Sequence, residues 1–253
     1  MIYREFIESG YKIFGLHKLT PDGCACGDAH CSAAGKHPVA SNWQHTPHWS
    51  DDQLEVMEMT GQLSTGYGVL VSDGLLVVDV DARNGGIASY EKLAEAVPAI
   101  GGAGLVVNTG SGGGSRHLYF KVPPERSLVQ QHADYPGIDF KSSGFVVGPG
   151  SLHASGTTYD VAIGSPADID DAPPALLELL RKPERHRAQV NGIAVDVSTD
   201  ELRDMLFAVP NSDDVGHETY IRIGMALHHA TGGSNEGLAL WQEWSAQSSR
   251  YKK

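Results

Sequence analysis

The chain has 253 residues, 41% of them hydrophobic, and a formal charge of −12 from 19 Lys and Arg against 31 Asp and Glu. This length allows one or two domains of roughly 150 residues, and the apolar content is sufficient for a folded core. Three cysteines exclude a disulfide scaffold, no apolar run approaches the ~20 residues of a membrane span, and the charged N-terminus is not a signal peptide. We therefore expect a soluble, cytoplasmic protein without a broadly basic surface for nucleic acid.

The first 170 residues alternate between strand-like and helical patterns, which predicts an α/β (α+β) domain. A capping box at Ser50 to Gln53 marks a helix start. Residues 68–71 and 75–80 are strand-like and are separated by a short turn, so we expect a hairpin. Helical periodicity over 87–97 ends at Pro98. Short connections favour a mixed, mainly antiparallel sheet, with further strands at 105–109, 117–122, 137–140, 144–147 and 158–163.

The last quarter of the chain has a different, helical pattern. Residues 181–197 carry charges and little periodicity, which predicts a linker. A second capping box at Ser198 to Glu201 begins a small all-helical domain over 198–253, with Trp241 and Trp244 expected in its core. Since the last predicted helix has no terminating signal, we expect the chain to be truncated from a longer protein.

A pair of aspartates stands at the end of an apolar run, in Val-Val-Asp-Val-Asp at residues 77–81. Residues i and i+2 of a strand share a face, so Asp79 and Asp81 should project together while Val78 and Val80 pack behind them. Adjacent carboxylates repel each other, and a divalent cation such as Mg²⁺ relieves that repulsion. So short a motif on its own more often marks two solvated aspartates at a strand end.

Two glycine-rich segments and a third carboxylate accompany this pair. Residues 82–86 and 109–117 are loops whose backbone N–H groups could approach a phosphate closely. The second loop leads to Ser115 and His117 on one strand face, which fits contact with a triphosphate. A later predicted strand supplies Asp139.

In this order and spacing, the motifs resemble the archaeo-eukaryotic primase superfamily, and most closely its bifunctional primase–polymerase N-terminal family. The resemblance covers about residues 9–180 and rests on Val-Asp-Val-Asp-Ala-Arg-Asn-Gly-Gly, on the segment 109–120 and on the segment 137–151. It implies that 1–180 is a catalytic domain with an RRM-like core and a sheet of the archaeo-eukaryotic primase type. Residues 198–253 look like the start of a primase C-terminal helical domain.

The resemblance also implies an activity and its residues. It makes Asp79, Asp81 and Asp139 catalytic ligands of two Mg²⁺ or Mn²⁺ ions, which would stabilise the attacking 3′-oxygen and the leaving pyrophosphate. The incoming NTP or dNTP would be held by His117, Ser115, Arg116, Arg83 and Lys141. The implied protein synthesises and extends primers on a single-stranded DNA template during replication of a phage, plasmid or related element, with a helicase fused after the helical domain.

All three cysteines lie in one loop, 24–37, as Cys24, Cys26 and Cys31, followed by His37. Three thiolates and an imidazole form a closed tetrahedral zinc site, and such a site is structural. His30 is an alternative fourth ligand, but it adjoins Cys31 and has less reach. The sequence Gly-Lys-His-Pro that contains His37 recurs beside such clusters in the family that the chain resembles, which favours His37.

Two other functions stay open at this stage. One is a non-catalytic, zinc-stabilised DNA-binding module for replication initiation, and the other is a metal-dependent phosphohydrolase or nuclease. The clustered acids beside a triphosphate-like loop favour the nucleotidyltransferase. The charge of −12 then implies weak, salt-sensitive template binding that depends on metal and nucleotide.

Overall fold

The chain divides into two compact units, residues 1–183 and 184–253. Among the described residues, no helix is long and apolar enough to cross a membrane. The predicted linker, 181–197, falls almost entirely outside those residues. The computed structural model describes residues 2–21, 23–28, 30–63, 66–72, 74–124, 127–182, 197–212 and 215–249.

Antiparallel strands build the first unit, as expected for its short connections. The described strands are β1 (Ile13–Gly15), β2 (Leu19–Thr20), β3 (Gly23–Cys24), β4 (Tyr67–Leu70), β5 (Leu75–Val80), β6 (Leu105–Asn108), β7 (Arg116–Lys121), β8 (Ile138–Lys141), β9 (Phe145–Val147) and β10 (Asp160–Ile163). A central five-stranded sheet has the order β10-β6-β7-β5-β8. A three-stranded sheet has the order β1-β4-β9, and β2 pairs with β3 alone.

Helices cover these sheets and make up the second unit. Those described in the first unit are α1 (Ile2–Glu8), α2 (Asp51–Met59), α3 (Gly86–Ala96) and α4 (Pro174–Leu179). The predicted capping box of α2 is confirmed, because Ser50 Oγ accepts the Gln53 N–H and Gln53 Oε1 accepts the Ser50 N–H. Helix α3 ends before Pro98, as its periodicity predicted.

The predicted hairpin between residues 68–71 and 75–80 is wrong. Strand β4 pairs with β1 and β9, whereas β5 pairs with β7 and β8, so the short turn between them passes from one sheet to the other. Both strands are almost wholly buried. Because neither strand alternates between apolar and polar residues, their sequences carried no signal for a pairing partner.

The central sheet has an apolar core on each face. On the front, Val77, Val107 and Tyr119 pack with the three-stranded sheet, α1 and α2. On the back, the predicted positions Val78 and Val80 pack with α3 and α4. Each fully buried side chain of this kind contributes about 1.5–3 kcal/mol relative to an exposed one.

The second unit contains three described helices, α5 (Thr199–Phe207), α6 (His217–Ala230) and α7 (Asn235–Ser245). The capping box of Ser198 and Glu201 is confirmed at the start of α5. Trp244 is fully buried and its Nε1–H donates to the Val209 carbonyl at 2.8 Å, while Trp241 packs partly against the same core. The prediction that both tryptophans belong to a helical core is therefore confirmed.

Candidate active site

Three neighbouring strands place a histidine and two aspartates side by side on the front face of the central sheet. The register pairs His117 of β7 with Asp79 of β5, and Asp79 with Asp139 of β8. Directly opposed residues of antiparallel strands carry their side chains on one face, about 5 Å apart. His117 Nε2 lies 3.5 Å from Asp79 Oδ1. We call His117, Asp79 and Asp139 the Asp–His row.

Asp81 reaches the same place by a different route from the one predicted. Strand β5 ends at Val80, and Asp81 caps the 3₁₀ turn Ala82–Asn84 instead of continuing the strand. Its Oδ1 accepts the Arg83 N–H at 3.0 Å and its Oδ2 accepts Asn84 Nδ2–H at 2.8 Å. Asp81 and Asp79 nevertheless line one cleft.

Two glycines allow this turn to close against β8. The Asp81 N–H donates to the Gly137 carbonyl at 2.8 Å, and the Gly86 N–H donates to the Asp81 carbonyl at 2.9 Å. A Cβ on Gly86 would lie 2.5 Å from Gly137 O, and Gly137 itself has a φ of +78°. Only glycine fits where the two backbones come this close.

Most of the predicted site residues line one cleft of about 170 Å³. Asp79, Asp81, Asp139, His117, Ser115 and Arg83 all contribute to its wall. The cleft is polar. It lies on the front face of the sheet, beside the C-terminal end of β5 and the N-terminal end of β8. The structure thus brings together residues that are far apart along the sequence, such as Asp79 and Asp139.

Lys141 and Arg116 are placed differently from these six residues. Lys141 Nζ lies 3.3 Å from Asp139 Oδ2 and 3.9 Å from Asp79 Oδ2, so it neutralises part of the Asp–His row. Arg116 alternates with His117 along β7, and its guanidinium stacks over Tyr90 of α3, 4.9 Å from the ring centre. It therefore lies on the back face, and the structure does not bring its side chain to the cleft.

The buried position of His117 controls its charge. Burial lowers the pKa of His117, and Lys141 and Lys36 lower it further, whereas Asp79 raises it. Its Nδ1 is buried without a hydrogen-bond partner among the described residues. A neutral imidazole beside a carboxylate can donate or accept a hydrogen bond without adding charge to the cleft.

Only one of the two predicted phosphate loops keeps free backbone donors. In residues 82–86 the N–H groups are already used, as in the bond from Ala82 to Ser115 Oγ at 2.9 Å. In the 109–115 loop, Ser111, Gly113 and Gly114 donate no backbone hydrogen bond to any described residue. The expectation of a backbone phosphate cradle therefore narrows to the second loop.

Several residues of the cleft were missed by sequence reasoning. Lys36 and Tyr159 were not expected near the acidic residues, whereas Asn84, Thr109 and Ser111 lie in the two predicted phosphate loops without having been named individually. Lys36 is the least expected, since it comes from the cysteine loop. Burial lowers its pKa and Arg83 acts in the same direction, while Asp79 and Asp81, which line the same cleft, raise it. Its position beside His37 was the only available signal.

The cysteine loop forms a compact cluster, as its spacing predicted. The ligand atoms of Cys24, Cys26, Cys31 and His37 all lie within 4.8 Å of one another. Tetrahedral zinc bonds would set these separations at roughly 3.3–3.8 Å, so the donor set fits zinc. Burial is the largest influence on the pKa of Cys24 and raises it, but hydrogen bonds from the backbones of Gly35 and Cys26 and from the thiols of Cys26 and Cys31 together lower it. In the same cluster, burial and the neighbouring thiols raise the pKa of Cys31 to about 11. We call these four residues the Cys–His cluster.

The carboxylates of the cleft form a wider donor set. Asp79, Asp81 and Asp139 do not all come within 4.8 Å of one another. Carboxylate oxygens are the donors that Mg²⁺ prefers. These three residues could therefore hold a divalent cation.

Comparison with protein families agrees with these features. Residues 4–175 match the model of the bifunctional DNA primase/polymerase N-terminal domain, which is more than half of the chain. The chain therefore belongs to this family. Residues 202–253 match the model of Primase C terminal 2 (PriCT-2). Together the two matches support a DNA replication function of the primase/polymerase type. A search of curated proteins returned no match.

Proposed function

We propose that the chain is a template-directed nucleotidyltransferase that makes and extends primers on single-stranded DNA, with Asp79, Asp81 and Asp139 holding two Mg²⁺ or Mn²⁺ ions. The observation that carries the proposal is the Asp–His row at the wall of a polar cleft, in a chain of the primase–polymerase family. Phosphoryl transfer needs positioning and charge neutralisation more than a covalent nucleophile, and this cleft offers both.

Each side chain of the cleft has a separate task. Two ions held by the carboxylates would neutralise charge on the attacking and leaving oxygens. Asp79 is central, since it contacts both His117 and Lys141. His117 donates a hydrogen bond to the incoming triphosphate from a fixed, buried ring, and the Ser115 hydroxyl, which already accepts the Ala82 N–H, has its proton free to donate beside it.

The Cys–His cluster has a structural part in this proposal. Four protein ligands leave no open position on zinc, so the cluster stabilises the 24–37 loop and takes no part in catalysis. Arg83 would contribute a positive charge at the mouth of the cleft in addition to that of Lys141. Its side chain is 65% exposed, and its Nε lies 3.4 Å from Asp81 Oδ1.

The wider context follows from the family. We propose that 1–180 is the catalytic domain, with the RRM-like sheet of archaeo-eukaryotic primases, and that 198–253 is a helical primase C-terminal domain after a linker. We further propose that a helicase domain is fused after the helical domain in the full-length protein. The protein would act in the cytoplasm, in the replication of a phage, plasmid or related element. The primase C-terminal match at 202–253 supports the helical assignment.

One assay separates this activity from its two alternatives. The protein is incubated with a single-stranded template, labelled NTPs or dNTPs, and Mg²⁺ or Mn²⁺, and the products are resolved by length. New oligonucleotides that depend on template and divalent ion are the expected result. Degraded template would point instead to a nuclease, and a mobility shift without any product to a DNA-binding module.

A further inference from the structure

Lys36 links the two candidate metal-binding sites of the first unit. It belongs to the loop that carries the Cys–His cluster, yet its half-buried side chain lines the cleft of the Asp–His row. A positively charged side chain from the loop of the Cys–His cluster thus forms part of the wall of the cleft.

The residue after Lys36 ties its backbone to the cluster. His37 Nε2 lies 2.8 Å from Cys31 Sγ, and the His37 carbonyl accepts the His17 N–H at 2.8 Å. A metal ion bound by His37 would therefore hold the peptide that carries Lys36 against the segment following β1. Without a bound metal, backbone contacts still hold this side of the turn, among them the bond from His17 and the Val39 N–H donated to the Gly15 carbonyl at 3.1 Å, and the metal would add the restraint on the His37 ring.

The residue before Lys36 restricts the turn on the other side. Gly35 is buried with a φ of +72°, and a Cβ there would lie 2.7 Å from Leu19 Cγ. The Lys36 N–H itself donates to the Ala33 carbonyl at 2.9 Å. The backbone on both sides of Lys36 is therefore held in a tight turn.

Lys36 is also the cation that the cleft leaves uncommitted. Lys141 is engaged by Asp139 and Asp79, and Arg83 is engaged by Asp81. No carboxylate among the described residues lies within 4.0 Å of the Lys36 ammonium. Its charge is therefore available for an anionic ligand, and a polyphosphate is the anion whose oxygens form strong charge-assisted hydrogen bonds with an ammonium.

We propose that Lys36 binds the polyphosphate of the incoming nucleotide, and that a metal ion in the Cys–His cluster holds Lys36 in place, so that metal and nucleotide stabilise each other's binding. The inference rests on the proposed function, because it takes the substrate of the Asp–His row to be a nucleotide. Coupling of this kind is reciprocal: what the metal adds to nucleotide affinity, the nucleotide adds to metal affinity.

The first test measures nucleotide binding without DNA. A fluorescent nucleoside triphosphate is titrated with the zinc-loaded full chain in Mg²⁺, using wild type, Lys36→Ala, Lys36→Arg and Lys18→Ala. Lys36→Ala should weaken the Kd by about 10- to 100-fold, because a charge-assisted hydrogen bond is lost. Lys36→Arg should recover part of the affinity. Lys18→Ala removes the same charge from an exposed position in the same region and should leave the Kd unchanged.

The second test measures release of zinc to a colorimetric chelator. In wild type, saturating nucleotide should slow zinc release several-fold, and in Lys36→Ala it should leave the release rate unchanged. This test uses only folded, zinc-loaded protein. It needs no substitution of a zinc-ligating residue, so a variant that fails to fold cannot affect the result.

Two results would overturn the inference while sparing the proposed function. One is wild-type nucleotide affinity in Lys36→Ala, including the case where that variant loses affinity only for single-stranded DNA. The other is a wild-type zinc release rate that nucleotide does not change. If wild type itself neither binds nucleotide nor makes primers, the proposed function fails first.

Discussion

The Cys–His cluster and the Asp–His row assemble their side chains in opposite ways. The cluster takes four ligands from one loop, 24–37, so its geometry is almost a local property of the chain. The row takes Asp79, His117 and Asp139 from three strands and exists only because their register aligns them. A slip of one residue would send a member of the row to the back face, whereas nothing comparable threatens the cluster.

This difference explains what could be predicted from the sequence. The clustering of the three cysteines named three members of the cluster, and the family resemblance favoured His37 over His30 as the fourth. The acidic residues were named through motif order, and the structure brings them into one cleft, but the sequence did not reveal that Asp81 leaves the strand to cap a turn. Arg116 was named because it lies between Ser115 and His117, although strand alternation turns it to the other face.

The remaining misses have tertiary causes. The Lys36 side chain reaches the cleft because its loop folds back against the segment after β1, and no local pattern encodes that approach. The same limit produced the false hairpin, since β4 and β5 are neighbours in sequence but belong to separate sheets. Helix boundaries and caps were predicted well because they depend on residues within one turn of each other.

The largest expected effect comes from the centre of the Asp–His row. Asp79→Asn keeps the size of the side chain and removes the charge that faces both His117 and Lys141. We expect primer synthesis to fall by at least about 10³-fold, since the loss of a metal ligand costs several kcal/mol of transition-state stabilisation. The rate of labelled-nucleotide incorporation measures it.

The matched control for this substitution is Asp160→Asn. Asp160 is an exposed aspartate on β10, at the far edge of the same sheet. It should keep wild-type synthesis. Synthesis by Asp79→Asn within about tenfold of wild type would show that the row is not the catalytic centre.

Removing a ligand from the Cys–His cluster should affect stability before activity. His37→Ala and Cys31→Ser should each reduce bound zinc from about one equivalent to a small fraction, because a three-ligand site binds zinc more weakly. Loss of a ligand that binds only the folded state should lower the Tm by about 10 °C. Elemental analysis and a thermal melt measure the two effects.

His30 offers a control that also decides between the two histidines. His30→Ala should retain full zinc, because the structure places His37 and not His30 within the cluster. Full zinc occupancy in both His37→Ala and Cys31→Ser would refute the zinc assignment. Loss of zinc in His30→Ala but not in His37→Ala would show that His30 is the fourth ligand in place of His37.

A smaller effect should separate the two faces of β7. His117→Gln should weaken nucleotide binding by about tenfold, since it removes a hydrogen-bonding ring from the wall of the cleft. Arg116→Gln removes a full charge one residue away, but that charge stacks on Tyr90 behind the sheet. We expect less than about a threefold change in nucleotide Kd there, measured in the same titration. An equal or larger effect of Arg116→Gln would mean that its side chain reaches the substrate.

The smallest effect concerns pH and tests the burial of His117 directly. Burial holds the pKa of His117 below its unfolded value of about 6.5. The unfolded chain therefore takes up a proton first as the pH falls. The stability that the neutral ring contributes is fully present above about pH 6.5 and is lost as the pH falls from there toward the folded pKa.

His117→Gln should remove this loss. Below about pH 6.5 its free energy of unfolding should therefore depend less on pH than that of wild type, by up to roughly 1.4 kcal/mol per pH unit, and its Tm should fall less. Thermal melts between pH 7.5 and about pH 5 in buffer without divalent ions measure the difference, and His48→Gln, an exposed histidine, should follow the wild-type curve. Parallel curves for wild type and His117→Gln would mean that the pKa of His117 is the same in the folded and unfolded chain, so that burial does not hold the ring neutral. A wild-type Tm that rises relative to that of His117→Gln as the pH falls would mean that the ring is protonated first in the folded protein. The imidazolium would then pair with Asp79, and the row would carry one negative charge less than its buried, neutral histidine implies.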